Sequence, residues 1–152
     1  MGIYVDNTWQ PQWAWATFYN NSANTQTIAE PDEWVSLEME NGSPTWINDI
    51  GITTYSAGTF DLDYSGLYYI CVCASFSGAT NDEFALAFAI DSVAQEEGQI
   101  NWTQKGGNYW EVSMSAIFQL ESGQQIDIYL KNIGGDLSPV LRNITNSVIK
   151  LY

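Results

Sequence analysis

The sequence predicts an all-β protein, a two-sheet antiparallel sandwich of the jelly-roll type. Short apolar-rich segments recur along the 152 residues, and turn signals such as Asn41-Gly42-Ser43-Pro44 and Gly134-Gly135 lie between them. Most of these segments alternate apolar with polar side chains, which is the period of a β-strand. A chain of this length is typical of one domain with a substantial buried core.

The segment from Gly66 to Phe76 is apolar on both of its faces and organises the rest of the chain. Its two alternating sets are Tyr68, Ile70, Val72, Ala74 and Phe76 on one side, and Leu67, Tyr69, Cys71, Cys73 and Ser75 on the other. A helix is the competing interpretation, but aromatic and β-branched residues favour a strand. Because such a strand must be covered on both faces, we expect the second sheet to cover one face and other copies of the chain to cover the other.

The other strands are predicted from the same alternation, in order along the chain. Before the central strand they are residues 14–19, 26–28, 34–39, 50–53 and 59–62, and after it residues 83–90, 100–103, 110–120, 125–131 and 143–152. Residues 83–90 alternate large side chains with alanine, a pattern that also fits a helix. In residues 110–120 we expect every second side chain to point inward, namely Trp110, Val112, Met114, Ala116, Phe118 and Leu120. The side chains between them lie on the other side, namely Glu111, Ser113, Ser115, Ile117 and Gln119.

Residues 1–13 are predicted to form an N-terminal docking arm, outside a jelly-roll domain that spans residues 14–152. They contain the strand-like piece Ile3-Tyr4-Val5 and a proline, but no sustained period. The large side chains of this arm are Ile3, Tyr4, Trp9 and Trp13. Two interpretations are equally weighted: these side chains pack on their own domain, or they dock on a neighbouring subunit or another protein.

Composition excludes several classes of partner and compartment. Four Lys and Arg against 18 Asp and Glu give a formal charge of −14, so we expect neither nucleic acid nor anionic membrane as a partner. The first residues resemble no signal peptide. Cys71 and Cys73 lie two positions apart on one strand, near the upper limit of distance for a disulfide, and are interpreted as free thiols. Both observations favour folding in a reducing cytoplasm.

The residue types available argue against catalysis. The chain contains no histidine, which excludes Ser-His-Asp and Cys-His mechanisms and histidine metal sites. Glycoside hydrolysis needs only two carboxylates, and the candidates are interpreted as solvated loop charges. They are Asp61, Asp63, Asp82, Glu83, Glu96 and Glu97. Residues 61–63 and 81–83 offer oxygens to Ca²⁺ but lack the EF-hand spacing. We therefore expect no enzyme activity, no cofactor and no metal.

Three segments carry short motifs, Asp63-Tyr64-Ser65-Gly66-Leu67-Tyr68-Tyr69-Ile70, residues 117–126 and residues 146–152. Together they resemble the jelly-roll superfamily of tumour necrosis factor and complement C-one-q heads, as used in trimeric phage virion proteins. Residues 63–70, Asp-Tyr-Ser-Gly-Leu-Tyr-Tyr-Ile, are similar to the Gly-x-Tyr strand of that superfamily. Residues 117–126 resemble its Phe-x-Leu-x-x-Gly-Asp-x-Leu turn, with Gln124 where aspartate is usual. Residues 146–152 are similar to its closing strand, with Asn146-Ser147 in place of Phe-Gly.

The resemblance implies a ten-stranded jelly roll assembled as a three-fold homotrimer whose inner sheet faces the axis. Carried over by position, the trimer interface residues would be Tyr69, Cys71, Cys73, Ser113, Ser115, Ile117, Thr145, Ser147 and Ile149. The core residues facing the second sheet would be Tyr68, Ile70, Val72, Met114, Phe118, Ile126 and Ile128. Such a contact should bury well over ~1,000 Å² per pair of chains.

Three classes of function follow from this interpretation. The preferred one is a structural virion protein, a trimeric capsid cement or decoration knob that is made in the host cytoplasm and docks on capsid proteins through its arm. The second is a receptor- or glycan-binding knob of a phage fibre, with Trp46, Trp102, Tyr109 or Trp110 stacking on sugar. The third is a secreted cytokine-like or complement-like ligand. The choice of a virion rests partly on analogy between folds.

Overall fold

In the computed structural model the chain forms two antiparallel sheets that share one core, and a small separate hairpin. The structure describes residues 2–5, 8–11, 14–20, 23–37, 45–50, 52–54, 59–78, 81–105, 109–135 and 137–152. In this part of the chain no helix is long and apolar enough to cross a membrane. The architecture confirms the predicted all-β jelly-roll sandwich.

The inner sheet contains the central strand, and we use that name for the sheet below. Its strands are β3 (Trp15–Asn20), β4 (Asn24–Thr25), β6 (Thr45–Ile50), β9 (Gly66–Ser77), β13 (Trp110–Leu120) and β15 (Val140–Lys150). Their spatial order is β13-β9-β15-β3-β6, and β4 pairs with one end of β15. All the pairs are antiparallel.

The outer sheet packs against the inner one. Its strands are β5 (Val35–Ser36), β7 (Ile52–Thr54), β8 (Phe60–Leu62), β10 (Glu83–Ile90), β11 (Val93–Ala94), β12 (Ile100–Thr103) and β14 (Gln125–Ile133). Their order is β11-β10-β14-β8-β7, with β12 paired to β10 and β5 paired to β14. A short 3-10 turn, Glu96–Gly98, precedes β12.

The N-terminal arm contains a hairpin of β1 (Gly2–Val5) and β2 (Thr8–Pro11). Within the described residues, the two strands pair with each other and with no strand of either large sheet. In register, Tyr4 lies opposite Trp9 and Ile3 lies opposite Gln10. Trp13, the fourth large side chain of the predicted arm, lies outside the described residues. The role of the arm in docking stays a prediction.

Strand β9 is the spine of the inner sheet, because β13 and β15 flank it over nearly its whole length. Residues 66–76 of β9 pair without interruption with residues 110–120 of β13. On the other side β15 follows β9 with one irregularity, between Leu141 and Asn143. Alternation along β9 then points one set of side chains into the sandwich and the other set away from it.

The inward set forms the core that the sequence predicts. Tyr68, Ile70 and Val72 are buried to 1% exposure or less, and Ile126 and Ile128 face them from the outer sheet at 0%. Met114 and Phe118 are half-buried and pack against this cluster. The ring of Phe118 meets that of Phe88 edge-on, with centroids 6.0 Å apart. The Tyr68 hydroxyl donates to the Tyr64 carbonyl at 2.5 Å, so the polar end of this buried side chain has a hydrogen-bond partner.

Strand β10 resolves the ambiguity between strand and helix in favour of the strand. Phe84, Leu86 and Phe88 enter the shared core, as expected. The alanines between them, Ala85, Ala87 and Ala89, are also fully buried, on the opposite face of the sheet. In register they lie beside Lys131, Tyr129 and Asp127 of β14, whose longer side chains share that face. On the outer face, each small alanine of β10 therefore lies beside a longer side chain of β14, and along β10 itself alanines alternate with large core residues.

A polar cluster joins the loop before β5 to this outer face. The Trp34 indole N–H donates to Glu96 Oε1 at 2.7 Å. The Lys131 ammonium lies 4.4 Å from the centre of the Trp34 ring and 3.6 Å from Glu96. The three side chains hold residues around Trp34 against the outer sheet through one cation–π contact and two charge-assisted contacts.

Some predicted elements differ from the observed ones. Residues 26–28 are not a strand, because the Gln26 and Ile28 amides donate to Pro139 and Ser138 of a loop instead of a ladder. The strand predicted at 34–39 is only Val35–Ser36 within the described residues. The single strand predicted at 50–53 is replaced by β6 and β7, and β6 begins five residues earlier, at Thr45. β11 was not predicted. The turn predicted at residues 41–44 lies outside the described part of the chain.

Gly66 lies where the end of the chain crosses the start of β9. The Leu67 amide donates to the Tyr152 carbonyl at 2.9 Å, and the Leu151 amide donates to the Leu67 carbonyl at 2.7 Å. A Cβ atom at position 66 would overlap the Lys150 side chain and lie 2.6 Å from the Tyr152 carbonyl oxygen. Close approach of backbone therefore explains the glycine of the Gly-x-Tyr motif.

Gly66→Ala should destabilise the fold, because the added methyl meets a backbone carbonyl that cannot easily move. We expect a loss of about 1–3 kcal/mol in the free energy of unfolding, the usual cost of overpacking, measured by urea denaturation. Gly98→Ala is the matched control, since a Cβ at Gly98 meets no atom within 4 Å. Equal stability of the two variants would contradict the assigned crossing.

Asp127 gives the outer face a pH-dependent stability. Burial raises the pKa of its carboxyl, although Ser36 Oγ donates to it at 2.6 Å and the Ile128 amide donates at 2.7 Å. With the folded pKa above the unfolded value of about 3.9, the carboxyl favours the folded state at low pH, and that contribution is lost as pH rises through the folded pKa. Asp127→Asn removes the charge that burial disfavours.

We therefore expect Asp127→Asn to be more stable than the parent protein at pH 7. The difference should vanish near pH 3, where the parent carboxyl is protonated in both states. Urea unfolding of the two proteins at both pH values measures it. Glu30→Gln, at an exposed carboxylate outside the two sheets, controls for the general effect of lower net charge. A parent protein as stable as Asp127→Asn at pH 7 would refute the assignment.

Candidate subunit interface

The nine predicted interface residues lie together on the inner sheet, on the face that points away from the core. Cross-strand register arranges them in three rows. The rows are Ser113–Cys73–Thr145, Ser115–Cys71–Ser147 and Ile117–Tyr69–Ile149. We call this surface the nine-residue face. Each row takes one residue from β13, one from β9 and one from β15, because directly opposed residues in antiparallel strands point to the same side.

This face is open in the single chain. Ile117 is 58% exposed and Ile149 is 40% exposed, while Cys73 is exposed and Tyr69 and Cys71 are half-buried. The second sheet covers the other side of β9, as expected. That other copies of the chain cover the nine-residue face stays a prediction. The structure defines the surface that they would cover.

The face changes in character from one end to the other. At one end the row Ile117–Tyr69–Ile149 is apolar, and Leu67 and the 44% exposed Leu151 extend it towards the chain crossing at Gly66. The middle row carries only small side chains, from Ser115, Cys71 and Ser147. Small residues allow a second backbone to approach closely, whereas the large apolar side chains supply buried area.

Hydrogen bonds tie the middle row together. The hydroxyls of Thr17 and Ser147 are 3.0 Å apart, which links β3 to β15 on this face. Burial, with a smaller effect of nearby Cys73, raises the pKa of the Cys71 thiol, although Ser147 hydrogen-bonds to the sulfur. Cys71 is therefore a neutral thiol at pH 7, and so the row carries no charge.

The other end of the face is polar and holds a depression. Its volume is about 480 Å³, and its lining residues are Cys73, Ala74, Glu111, Val112, Ser113 and Asn143. Glu111 and Asn143 lie on either side of Ser75, one row beyond Cys73. Sequence reasoning missed Glu111 and Asn143. Alternation along β13 already places Glu111 on the side of Ser113, but its position beside Ser75 and near Asn143 follows from the register of three strands that are distant in the sequence.

Tyr19 is a third residue on this side of the inner sheet that sequence reasoning missed. It lies on β3 directly opposite Thr145, so it belongs to the row of Ser113 and Cys73. It is 38% exposed. The available signal was the alternation of the first strand, where Ala14 and Ala16 are fully buried and Thr17 and Tyr19 point the other way.

The other candidate sites have structural explanations. Trp102 stacks on Phe76 and Phe84, with centroids 5.3 and 5.6 Å away, so its ring is part of the core edge. Trp110 is half-buried opposite Phe76. Tyr109 is 68% exposed, with the Arg142 guanidinium 5.7 Å from its ring centre, and it is open to solvent. The side chain of Trp46 is outside what the structure describes.

The candidate carboxylates are not gathered into a site. Asp82 Oδ2 accepts from the Asn132 amide at 2.7 Å. Glu96 is bound to Trp34 and Lys131, as described above. Asp63, Glu83 and Glu97 are exposed, and Asp61 is half-buried. Among the described residues, no three His, Cys, Asp or Glu side chains are close enough to hold a metal ion.

By sequence the chain matches no protein family and no curated protein. By structure it is similar to murine APRIL, with a TM-score of 0.63 and 8% identity over 91% of this chain and 99% of that one. It is also similar to Eiger TNF from S. frugiperda, with a TM-score of 0.59 and 12% identity over 91% of this chain and 93% of that one. A third similar structure is the globular domain of zebrafish complement 1qA protein, with a TM-score of 0.56 and 16% identity over 88% of this chain and 94% of that one.

These likenesses confirm the jelly-roll fold that the three sequence motifs imply. The chain has the jelly-roll fold of the tumour necrosis factor and complement 1q globular domains. At identities of 8% to 16% the likeness concerns the fold. Function has to be argued from the surface of this chain.

In the single chain, the two thiols of the nine-residue face should differ in reactivity. The thiolate is the reactive form, and the pKa of Cys71 is raised by burial, so Cys73 should react first with a disulfide reagent at pH 8. The Cys71→Ser and Cys73→Ser variants assign the two phases in a stopped-flow measurement. Faster modification of Cys71 would contradict the described geometry.

Proposed function

We propose that this protein is a non-enzymatic homotrimer whose subunits meet through the nine-residue face. The observation that carries the proposal is the convergence of nine residues, from three distant segments, on one open and continuous face. Exposed apolar side chains gathered in one place mark interaction surfaces more often than scattered ones do. Here Ile117, Ile149 and Leu151 are gathered at one end.

The charge distribution supports self-association on this face. The chain carries a formal charge of −14, yet all nine residues of the face are uncharged. Two copies that met through any acidic surface would repel each other, whereas contact through an uncharged face keeps the carboxylates apart. Depletion of charged residues at the centre of a contact is also typical of protein interfaces.

For the biological role we propose a capsid cement or decoration knob that docks on a virion through residues 1–13. Two observations favour it. The hairpin of β1 and β2 pairs with neither sheet of the jelly roll, among the described residues, so its backbone edges are available to a partner. Cys71 and Cys73 are free thiols, as expected of a protein assembled in a host cytoplasm. The docked surface would be basic, to complement the acidic chain.

A secreted trimeric ligand is the second candidate, favoured by the structural likeness to Eiger TNF. An exposed free thiol at Cys73 is unusual for an oxidising compartment. A glycan-binding fibre knob is the third, and Tyr109, which is 68% exposed, is an aromatic side chain on which a sugar would stack. The two candidates differ from the first in needing no docking arm.

Tyr69→Asp should dissociate the trimer, because it places an unpaired charge in the apolar row of the contact, between Ile117 and Ile149. A buried uncompensated charge costs several kcal/mol, which raises the dissociation constant roughly 100-fold or more. Sedimentation equilibrium at micromolar concentration measures it. Val93→Asp adds the same charge at a residue 63% exposed on the outer sheet and should stay trimeric. A trimeric Tyr69→Asp would remove Tyr69 from the interface, and a monomeric parent protein would refute the homotrimer.

Deletion of residues 1–13 should leave the trimer and the fold intact but abolish docking, since the hairpin contributes no strand to either large sheet. Co-sedimentation of full-length and truncated trimers with virus particles purified from the source culture measures docking. Equal binding of the two proteins would contradict the arm model. Failure of the full-length protein to bind, together with its absence from the particles, would refute the virion role and favour the secreted ligand.

A further inference from the structure

The polar end of the nine-residue face carries a hole and a knob at the same level. The hole is the depression of about 480 Å³ bordered by Cys73, Ser113, Glu111 and Asn143, above strands β13, β9 and β15. The knob is Tyr19, which is 38% exposed on β3. Tyr19 pairs in register with Thr145, and Thr145 pairs with Cys73. The two features therefore belong to one row and are separated sideways across the sheet.

Three-fold symmetry constrains which parts of the two surfaces can meet. Rotation about an axis moves a residue sideways but leaves its height along the axis unchanged. The strands of 11 and 12 residues are the longest dimension of the inner sheet, so three such faces bury the most area when the strands run along the axis. A residue then meets residues of the neighbouring subunit from its own row and the rows next to it.

The contact in a closed ring of three is heterologous, because one side of a face meets the other side of the next. In this sheet the hole lies towards the β13 side and the knob lies towards the β3 side, in the order β13-β9-β15-β3. Their lateral positions therefore suit a head-to-tail contact, and their shared row gives them the same height.

We infer that Tyr19 of each subunit inserts into the Cys73–Ser113–Asn143 hole of the next subunit. The contact rests on the proposed homotrimer and specifies how its subunits are set. It makes each hole incomplete in the single chain, since the side chain that fills it comes from another copy.

The chemistry of the hole suits a tyrosine. The ring would lie on the small side chains of Cys73 and Ser113, and the phenol hydroxyl would reach the polar rim, where Glu111 and Asn143 present acceptors. Glu111 is the carboxylate of the hole, and a hydroxyl donor from the neighbouring subunit stabilises it without adding charge. Tyrosine is also among the residues most enriched at interface centres.

Site-specific crosslinking tests this contact. Tyr19 and Cys73 of one chain lie only two strands apart on the same face, so the two thiols are placed on different chains. One protein is Cys71→Ser, which keeps the thiol of Cys73. The other carries Cys71→Ser, Cys73→Ser and Tyr19→Cys together with a size tag, so its thiol lies where the knob was. After the two proteins are mixed and exchange subunits, a bismaleimide with a spacer about as long as the lost side chain joins the two thiols by adding one thiol to each maleimide. We expect a covalent dimer of one tagged and one untagged chain on a denaturing gel.

The control replaces the tagged protein by one that carries Val93→Cys on the outer sheet instead of Tyr19→Cys, and should give no covalent dimer of one tagged and one untagged chain. If Tyr19→Cys sediments as a trimer but crosslinks no better than this control, the Tyr19 contact is wrong and the homotrimer stands. If the parent protein is monomeric, the homotrimer and the contact both fail. A folded Tyr19→Cys monomer would support the contact, because an exposed tyrosine elsewhere would leave assembly unchanged.

A second pair of variants tests the contact without crosslinking. Ser113→Trp fills the hole and should raise the trimer's dissociation constant at least tenfold, measured by sedimentation. Tyr19→Ala in the same protein removes the knob that the tryptophan excludes, so the double variant should recover most of the lost affinity. Additive losses in the double variant would overturn the pairing of knob and hole.

Discussion

The backbone ladder that holds β9 between β13 and β15 is the constraint on which the rest of the structure depends. It runs through residues 66–76 without interruption on the β13 side. The ladder decides which set of β9 side chains enters the core, and a slip by one residue would exchange the two sets. Since both sets of β9 are largely apolar, its own pattern specifies the register weakly. The polar outward set of β13, with Glu111, Ser113 and Ser115, makes the choice unambiguous.

That ladder also explains why the two sides of the inner sheet differ. Its inward side shares a core with the outer sheet, where Tyr68, Ile70, Ile126 and Ile128 are completely buried. Its outward side carries the uncharged rows of the nine-residue face. A flat array of small and apolar side chains on regular strands is rigid, because each backbone is held on both sides. Rigid presentation of this kind suits assembly with copies of the same surface.

The fold class and the core were predictable from the sequence because they depend on local alternation. A period of two over residues 110–120 places Val112 and Leu120 inside whatever the partner strand is. The grouping of the nine residues was also predictable, since the resemblance supplied which strands are neighbours. The strand at residues 26–28 was wrong because Gln26 bonds to a loop that is distant in sequence, at Pro139. Alternation places Tyr19 and Glu111 on the outward side of their own strands. Which residues lie beside them, and where Asn143 lies, could not be predicted, because both depend on the relative register of β3, β9, β13 and β15.

The way the few basic residues are used has a consequence for the protein in solution. Lys131 is held by Trp34 and Glu96, Lys150 is buried, and Arg142 donates to Ser77 at 2.6 Å. Lys105 is the basic side chain that stays exposed. Seen from a distance, the molecule is therefore a polyanion wrapped in a cloud of counterions. Its electrostatic field is screened over about 8 Å at physiological ionic strength. The salt concentration therefore sets how closely two molecules of this protein approach each other in solution.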